Sequence, residues 1–182
     1  MKRPQGLCSS DGRPDRFQKV ALALAQGFGI GRVPKAPGTF GSLLGLGWLA
    51  LLLVSGDPWV LFGGMAAGLA LSIWLCGWAE KILQAKDPPS VVLDEIVALP
   101  ICFVPVILSG WHTTGRWPQL ADFLSLKAAC FAAVLFGLFR LFDIWKPWPI
   151  RQSQRLPGGW GVTVDDVLAA IYVALLTVPV VA

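Results

Sequence analysis

Charge is the scarcest property of this 182-residue chain. Asp, Glu, Lys and Arg together make up 14% of it, against about 25% in an ordinary soluble domain. Histidine occurs once, at His112, and tyrosine once. One histidine excludes any mechanism built on a histidine pair. His112 falls on the other side of the chain's layout from the acidic segments, so no Ser–His site is expected among them. The four cysteines form no Cys-x-x-Cys pair, no metal spacing and no Cys-x5-Arg arrangement. A disulfide scaffold, a zinc site and a cysteine phosphatase are therefore not expected. A cleavable leader is not expected either, because the first apolar run, Val20 to Ala25, is short and breaks at Gln-Gly-Phe-Gly.

What the chain has in excess is hydrocarbon. Hydrophobic residues make up 55%, with nine Trp and twenty Gly. Trp is favoured at membrane interfaces and Gly where membrane helices pack closely. The net charge of +4 does not suggest nucleic acid, since the aromatics sit in apolar runs and not in a basic groove. The expected fold is all-α, a polytopic helical membrane protein with about five spanning or partly spanning helices. Residues 1–19 read as a flexible basic tail, and 20–182 as one helical membrane domain. Within it, 20–30 is a short amphipathic or shallow helix and 31–42 a Gly/Pro-rich loop. Apolar spans follow over 38–56, 58–79, 96–111, 123–139 and 167–182. The span at 96–111 contains Pro100 and Pro105. It is short, so it is either kinked or begins before Glu95.

The parity of these crossings puts the loops 31–42, 80–95 and 140–166 on one side. Thirteen of the fifteen Lys and Arg residues fall there, all but Arg116 and Lys127. The positive-inside bias makes that side, with the N-terminus, cytoplasmic. Nine of the eleven Asp and Glu residues share it, all but Asp57 and Asp122.

Five of those carboxylates stand beside hydrocarbon: Asp94, Glu95, Asp143, Asp165 and Asp166. Such groups are costly unless paired or metal-bound. Neighbours on a helix diverge by about 100°, so the members of each adjacent pair take different partners. Carboxylates from separate segments suit Mg²⁺, which prefers oxygen ligands. They equally suit helix capping and balance against nearby cations. The residues alone leave both readings open. In Arg140-Leu-Phe-Asp143-Ile-Trp-Lys146-Pro-Trp-Pro-Ile-Arg151, helical spacing puts Arg140, Asp143 and Lys146 on one face before the prolines stop the helix. Arg and Lys can neutralise a phosphoryl group. The alternative is a juxtamembrane basic stretch anchored by Trp145 and Trp148. The loop from Gly31 to Ser42 carries Arg32, Lys35 and Thr39 into a helix start, where backbone N–H groups can cradle an anion and Thr39 can cap or contact phosphate. It is not a P-loop, because no Gly-Lys-Ser/Thr closes it. His112 reads as a surface residue.

Four ordered motifs then carry a resemblance. They are Gly27-Phe-Gly with Pro37-Gly-Thr-Phe-Gly-Ser42, Asp94-Glu95-Ile-Val, Phe139-Arg-Leu-Phe-Asp-Ile-Trp-Lys-Pro-Trp-Pro-Ile150, and Gly158-Gly-Trp-Gly-Val-Thr-Val-Asp-Asp166. Together they resemble the bacterial phosphatidylglycerophosphatase A family from about Phe28 to the final span. The resemblance implies a Mg²⁺-dependent phosphomonoesterase of the bacterial inner membrane. Its substrate would be phosphatidylglycerophosphate and its products phosphatidylglycerol and phosphate. It assigns the acidic positions to Asp94, Glu95, Asp143, Asp165 and Asp166 and the basic ones to Arg140 and Lys146. The expected metal set is Asp94, Glu95, Asp143 and Asp166. Arg140, Lys146, Arg32, Lys35 and Thr39 are the expected phosphate contacts. A CDP-alcohol phosphotransferase needs a tight Asp-Gly-Arg run ending in two further Asp four residues apart, which is missing. The non-enzyme alternative is a small membrane scaffold or a transporter; a transporter would place ionisable residues near mid-span, where there are none.

Overall fold

In the computed structural model the described residues are 15–181. Every regular element among them is a helix or a 3-10 turn, with no strand. Most of the expected basic tail, residues 1–14, lies outside them. The remainder of that stretch is not tail: helix α1 (Arg16–Ala25) begins there, with Asp15 and Gln18 forming a reciprocal capping box.

Five segments are long and apolar enough to cross a bilayer. They are α2 (Pro37–Val54), α3 (Pro58–Leu83), the broken segment Leu93–Thr114, α6 (Leu126–Trp145) and α8 (Gly159–Val181). The broken segment consists of α4 (Leu93–Ala98), a 3-10 turn (Leu99–Phe103) and α5 (Val104–Thr114). Pro100 and Pro105 each sit at the start of the piece that follows the break, where a missing N–H costs least. A one-turn helix, α7 (Ile150–Ser153), lies in the last connection.

α8 is the hub. It packs on α3, α6, α5, α4 and the 3-10 turn. Small residues let it approach: a Cβ on Gly159 would lie 1.9 Å from the Ile73 carbonyl oxygen. Inside that contact the Ser72 and Thr163 hydroxyls bond at 2.9 Å. The core joins Leu53, Leu99, Ile107, Leu135, Phe139 and Val173. Large apolar side chains such as Leu51, Trp59, Leu176 and Val180 remain exposed along the spans. A bilayer is the solvent that suits them.

The structure moves several expected boundaries. The third span is both broken and begins before Glu95, at Leu93, so the two expected alternatives hold together and the acidic pair lies in the first turn of α4. The stretch 140–166 is not one loop. Arg140 and Asp143 belong to the last turns of α6, as their helical spacing predicts, and Asp165 and Asp166 belong to the second turn of α8. The expected catalytic loops are therefore largely helix ends. Those ends extend hydrogen-bonded backbone into a region that composition marks as polar, and only the side chains leave the apolar pattern.

Candidate active site

α4 brings Asp94 and Glu95 to one end of the bundle, and their side chains separate as adjacent helical positions must. Glu95 turns toward α2 and α6. Its Oε1 is 3.1 Å from Arg140 Nη1, and its Oε2 is 3.1 Å from Ser42 Oγ. Ser42 Oγ also reaches the Gly38 carbonyl at 2.9 Å. Arg140 Nη1 meets Asp143 Oδ2 at 2.6 Å, one helical step away. Lys146 closes α6 with a left-handed backbone, φ 47°. Its Nζ lies 3.8 Å from Asp143 Oδ1 and 2.5 Å from Asp165 Oδ2. Gln154 Nε2 donates to Asp165 Oδ2 at 3.0 Å and is 3.1 Å from Asp87 Oδ2. One network thus runs from α2 through α4 and α6 to α8 and on to the two polar connections.

Asp94 and Asp166 stand apart from this chain of pairs. Both are buried, at 5% and 3% exposure. Asp94 Oδ1 and Asp166 Oδ2 have no hydrogen-bond partner, and neither has Arg140 Nε. Asp166 lies in the field of Asp143, Asp94, Asp165 and Glu95. Five carboxylates are gathered against two cations, Arg140 and Lys146. That leaves an uncompensated negative charge, a condition that calls for a cation or a proton. All donors are hard oxygens, which fits a divalent ion such as Mg²⁺. Among the described residues no three acidic, His or Cys side chains converge tightly enough to form an assembled metal site. Lys146 lies just beyond α6. Burial works against its charge, but Asp165, Asp143 and Asp166 outweigh burial and raise its pKa above the ordinary lysine value.

The glycine motifs prove to be packing devices beneath the acidic pair. A Cβ on Gly38 would lie 2.1 Å from Glu95 Oε1, and one on Gly41 2.7 Å from Val92 Cβ. A Cβ on Gly31 would strike the Ser90 carbonyl oxygen at 1.9 Å. Bare backbone at these points lets α2 and the turn before it close on residues 90–95. Thr39 is not the N-cap of α2. Ala36 holds that position, with Pro37 as the first helical residue. Arg32 Nε donates to Gln26 Oε1 at 2.7 Å, and Gln26 Nε2 to Ser90 Oγ at 2.9 Å. Arg32 therefore braces the scaffold. Lys35 is exposed, and neither Arg32 nor Lys35 forms an ion pair with the carboxylates among the described residues. Ser42, Gln154 and Asp87 were missed by sequence reasoning. They are isolated polar residues without periodic or motif signal, apart from Ser42, which ends the Pro37-Gly-Thr-Phe-Gly-Ser run. His112 is exposed at the other end of α5.

A family model described as "Phosphatidylglycerophosphatase A" matches residues 23–181. The chain belongs to the phosphatidylglycerophosphatase A family. A phosphatidylglycerophosphatase A of Haemophilus influenzae is 35% identical over 156 residues, 84% of this chain and 83% of the relative. One from Escherichia coli is 32% identical over 150 residues, 81% of this chain and 76% of the relative. A Bacteroides thetaiotaomicron protein named "Putative phosphatidylinositol-3-phosphatase" is 34% identical over 162 residues, 86% of this chain and 91% of the relative. No solved structure matches. Membership in this phosphatase family places the buried carboxylate end of the bundle in a multi-pass membrane enzyme acting on lipids. Three Trp residues beside that end, Trp145, Trp148 and Trp160, are exposed, as interfacial anchors are.

Proposed function

We propose that this chain hydrolyses the phosphomonoester of phosphatidylglycerophosphate, releasing phosphatidylglycerol and inorganic phosphate in a Mg²⁺-dependent reaction. The reaction takes place at the cytoplasmic face of the bacterial inner membrane, the side that the Lys/Arg bias assigns to the acidic end. The observation that carries the reading is the pair of buried, partnerless oxygens, Asp94 Oδ1 and Asp166 Oδ2, inside an acidic cluster with too few cations. Asp94 and Asp166, joined by Glu95 and Asp143, would hold the ion. When bound, Mg²⁺ supplies charge neutralisation of the phosphate and a more acidic water.

The chain's own groups do the rest. Arg140 is fixed between Glu95 and Asp143 and keeps its Nε–H free, a donor for phosphoryl oxygens. Lys146 stays protonated and offsets charge beside it. Asp165, outside the metal set, accepts the proton of the attacking water. The water oxygen bonds to phosphorus, the bond to the glycerol oxygen breaks, and the proton taken up by Asp165 passes to the leaving glycerol oxygen, which departs as the hydroxyl. Arg32, Lys35 and Thr39, on the segment entering α2, are further proposed phosphate contacts, supported by the close approach of Gly31 and Gly41 to residues 90–92; Gln26 takes only the Nε–H of Arg32, and the other guanidinium nitrogens would face the phosphate.

The Bacteroides relative's name gives a second headgroup to compare. The test is phosphate release by the purified chain in detergent, from phosphatidylglycerophosphate and from phosphatidylinositol 3-phosphate, with and without EDTA. EDTA-sensitive release from the first, exceeding the second, is expected. Release from neither overturns the reading.

A further inference from the structure

A dianionic phosphate approaching this end meets a cluster in which carboxylates outnumber cations, and both cations are already paired. Unpaired positive charge must lie along the approach, or long-range repulsion would slow it. The structure holds such a place. Between the connection leading to α4 and the one leading to α8 is an open cavity of about 630 Å³, lined by Lys86, Asp87, Arg151, Gln152, Gln154 and Arg155. Lys86, Arg151 and Arg155 are exposed. None of them makes an ion pair among the described residues. Other charges nearby are occupied. Lys81 lies over the Trp78 ring at 5.5 Å, and Glu80 accepts from the Asp87 backbone N–H at 2.9 Å. Asp87, the one acidic group on the wall, is met by Gln154 Nε2. The same Gln154 nitrogen donates to Asp165. The wall of the cavity is therefore one side chain away from the buried cluster.

We propose that Lys86, Arg151 and Arg155 form an anion-receiving vestibule that binds the phosphate oxygens of the lipid headgroup before they reach the carboxylate cluster. This inference rests on the phosphatase reading above. The three cations act on binding and not on the chemical step, because the residues that touch the cluster lie beyond Gln154. A lipid headgroup on its way in and inorganic phosphate on its way out share the same chemistry. The vestibule's effect on KM reports the first, and its effect on product inhibition reports the second.

The test uses the full chain in phosphatidylcholine nanodiscs, which add no competing anionic lipid. Wild type is compared with K86Q/R151Q/R155Q and with the charge-keeping K86R/R151K/R155K. Phosphatidylglycerophosphate turnover is measured, with inhibition by inorganic phosphate and, in EDTA, equilibrium binding of the same lipid. The neutral variant is expected to raise KM and weaken binding by roughly tenfold, as the loss of three exposed charge contacts would. Its kcat should stay within about twofold, and the charge-keeping variant should restore KM. Weaker phosphate inhibition in the neutral variant, beside the raised KM, would show that product leaves by the same route. An unchanged KM and unchanged lipid binding overturn the vestibule, as does a fall in kcat that the charge-keeping variant shares. A wild type without turnover would instead defeat the phosphatase reading, and the binding arm in EDTA would still judge the vestibule.

Discussion

The two ends of the bundle treat charge in opposite ways. At the end built by α4, α6 and α8, carboxylates are buried on helix ends, two oxygens are left without partners, and the cations are outnumbered. At the other end, Arg116 and Asp122 pair one to one at 2.6 Å in the open. There the partner's guanidinium bonds and the Gln119 backbone N–H hold the Asp122 carboxyl below its usual range, and Asp122 raises Arg116 in turn. A matched exposed pair asks nothing further of its surroundings. A buried, unmatched cluster does, and is maintained at a cost to stability that a functional demand explains.

The largest break in this contrast comes from the orphaned carboxylates. D94N and D166N should each lower phosphate release on the order of 10³-fold. In metal-free detergent neither should lower the thermal midpoint, since each removes an unpaired buried charge. Midpoint and turnover measured on the same samples decide this. A D94N protein with near wild-type activity would remove Asp94 from the site. Next is R140Q, which leaves Glu95 and Asp143 facing each other across a mostly buried gap. It should cost about 3 kcal/mol and also lose activity, read by denaturation and turnover together. Third is G38A. Its new methyl group meets Glu95 and should cost about 1–3 kcal/mol. G47A, where the added Cβ meets nothing within 4 Å, should be neutral.

Much of this was legible in the sequence, for identifiable reasons. Hydropathy found the spans, because a bilayer demands long uncharged runs whatever their tertiary partners. Counting crossings brought Ser42, Glu95, Arg140 and Asp165 to one end before any contact was known. Helix ends were harder to place. Asp165 lies on helical backbone, although its charge reads as loop, whereas the spacing of Arg140 and Asp143 does mark their helix. The glycines of Pro37-Gly-Thr-Phe-Gly-Ser42 allow an anion cradle as one reading, and the structure adds that they give α4 its close seat. That addition depends on what faces Gly38 from a distant part of the chain, the Glu95 carboxylate. Gln154 and Asp87 carry no sequence signal at all, because an isolated amide or carboxylate in a polar connection looks like any other solvated side chain.

Two smaller effects sharpen the comparison. Because the folded-state pKa of Lys146 is raised, its pairing contributes fully below the ordinary lysine value of 10.5 and is lost only above it. K146R should therefore leave the shape of the pH–rate profile unchanged up to that value, as a pH series on both proteins would show. The smallest effect belongs to the far end. R116Q should leave turnover intact and lower thermal stability slightly. Asp122 has a depressed pKa, so its pairing contributes above the ordinary value of 3.8 and fades as pH falls through the lowered one. The difference in midpoint between R116Q and wild type should shrink toward strongly acidic pH.

The most direct test of the central claim is a Mg²⁺ titration of the EDTA-stripped, purified chain with phosphatidylglycerophosphate as substrate, following phosphate release. The account predicts no release without the ion, saturable recovery with it, and no recovery in D166N at any Mg²⁺ concentration. Full release from the stripped protein, or recovery in D166N equal to wild type, would contradict it.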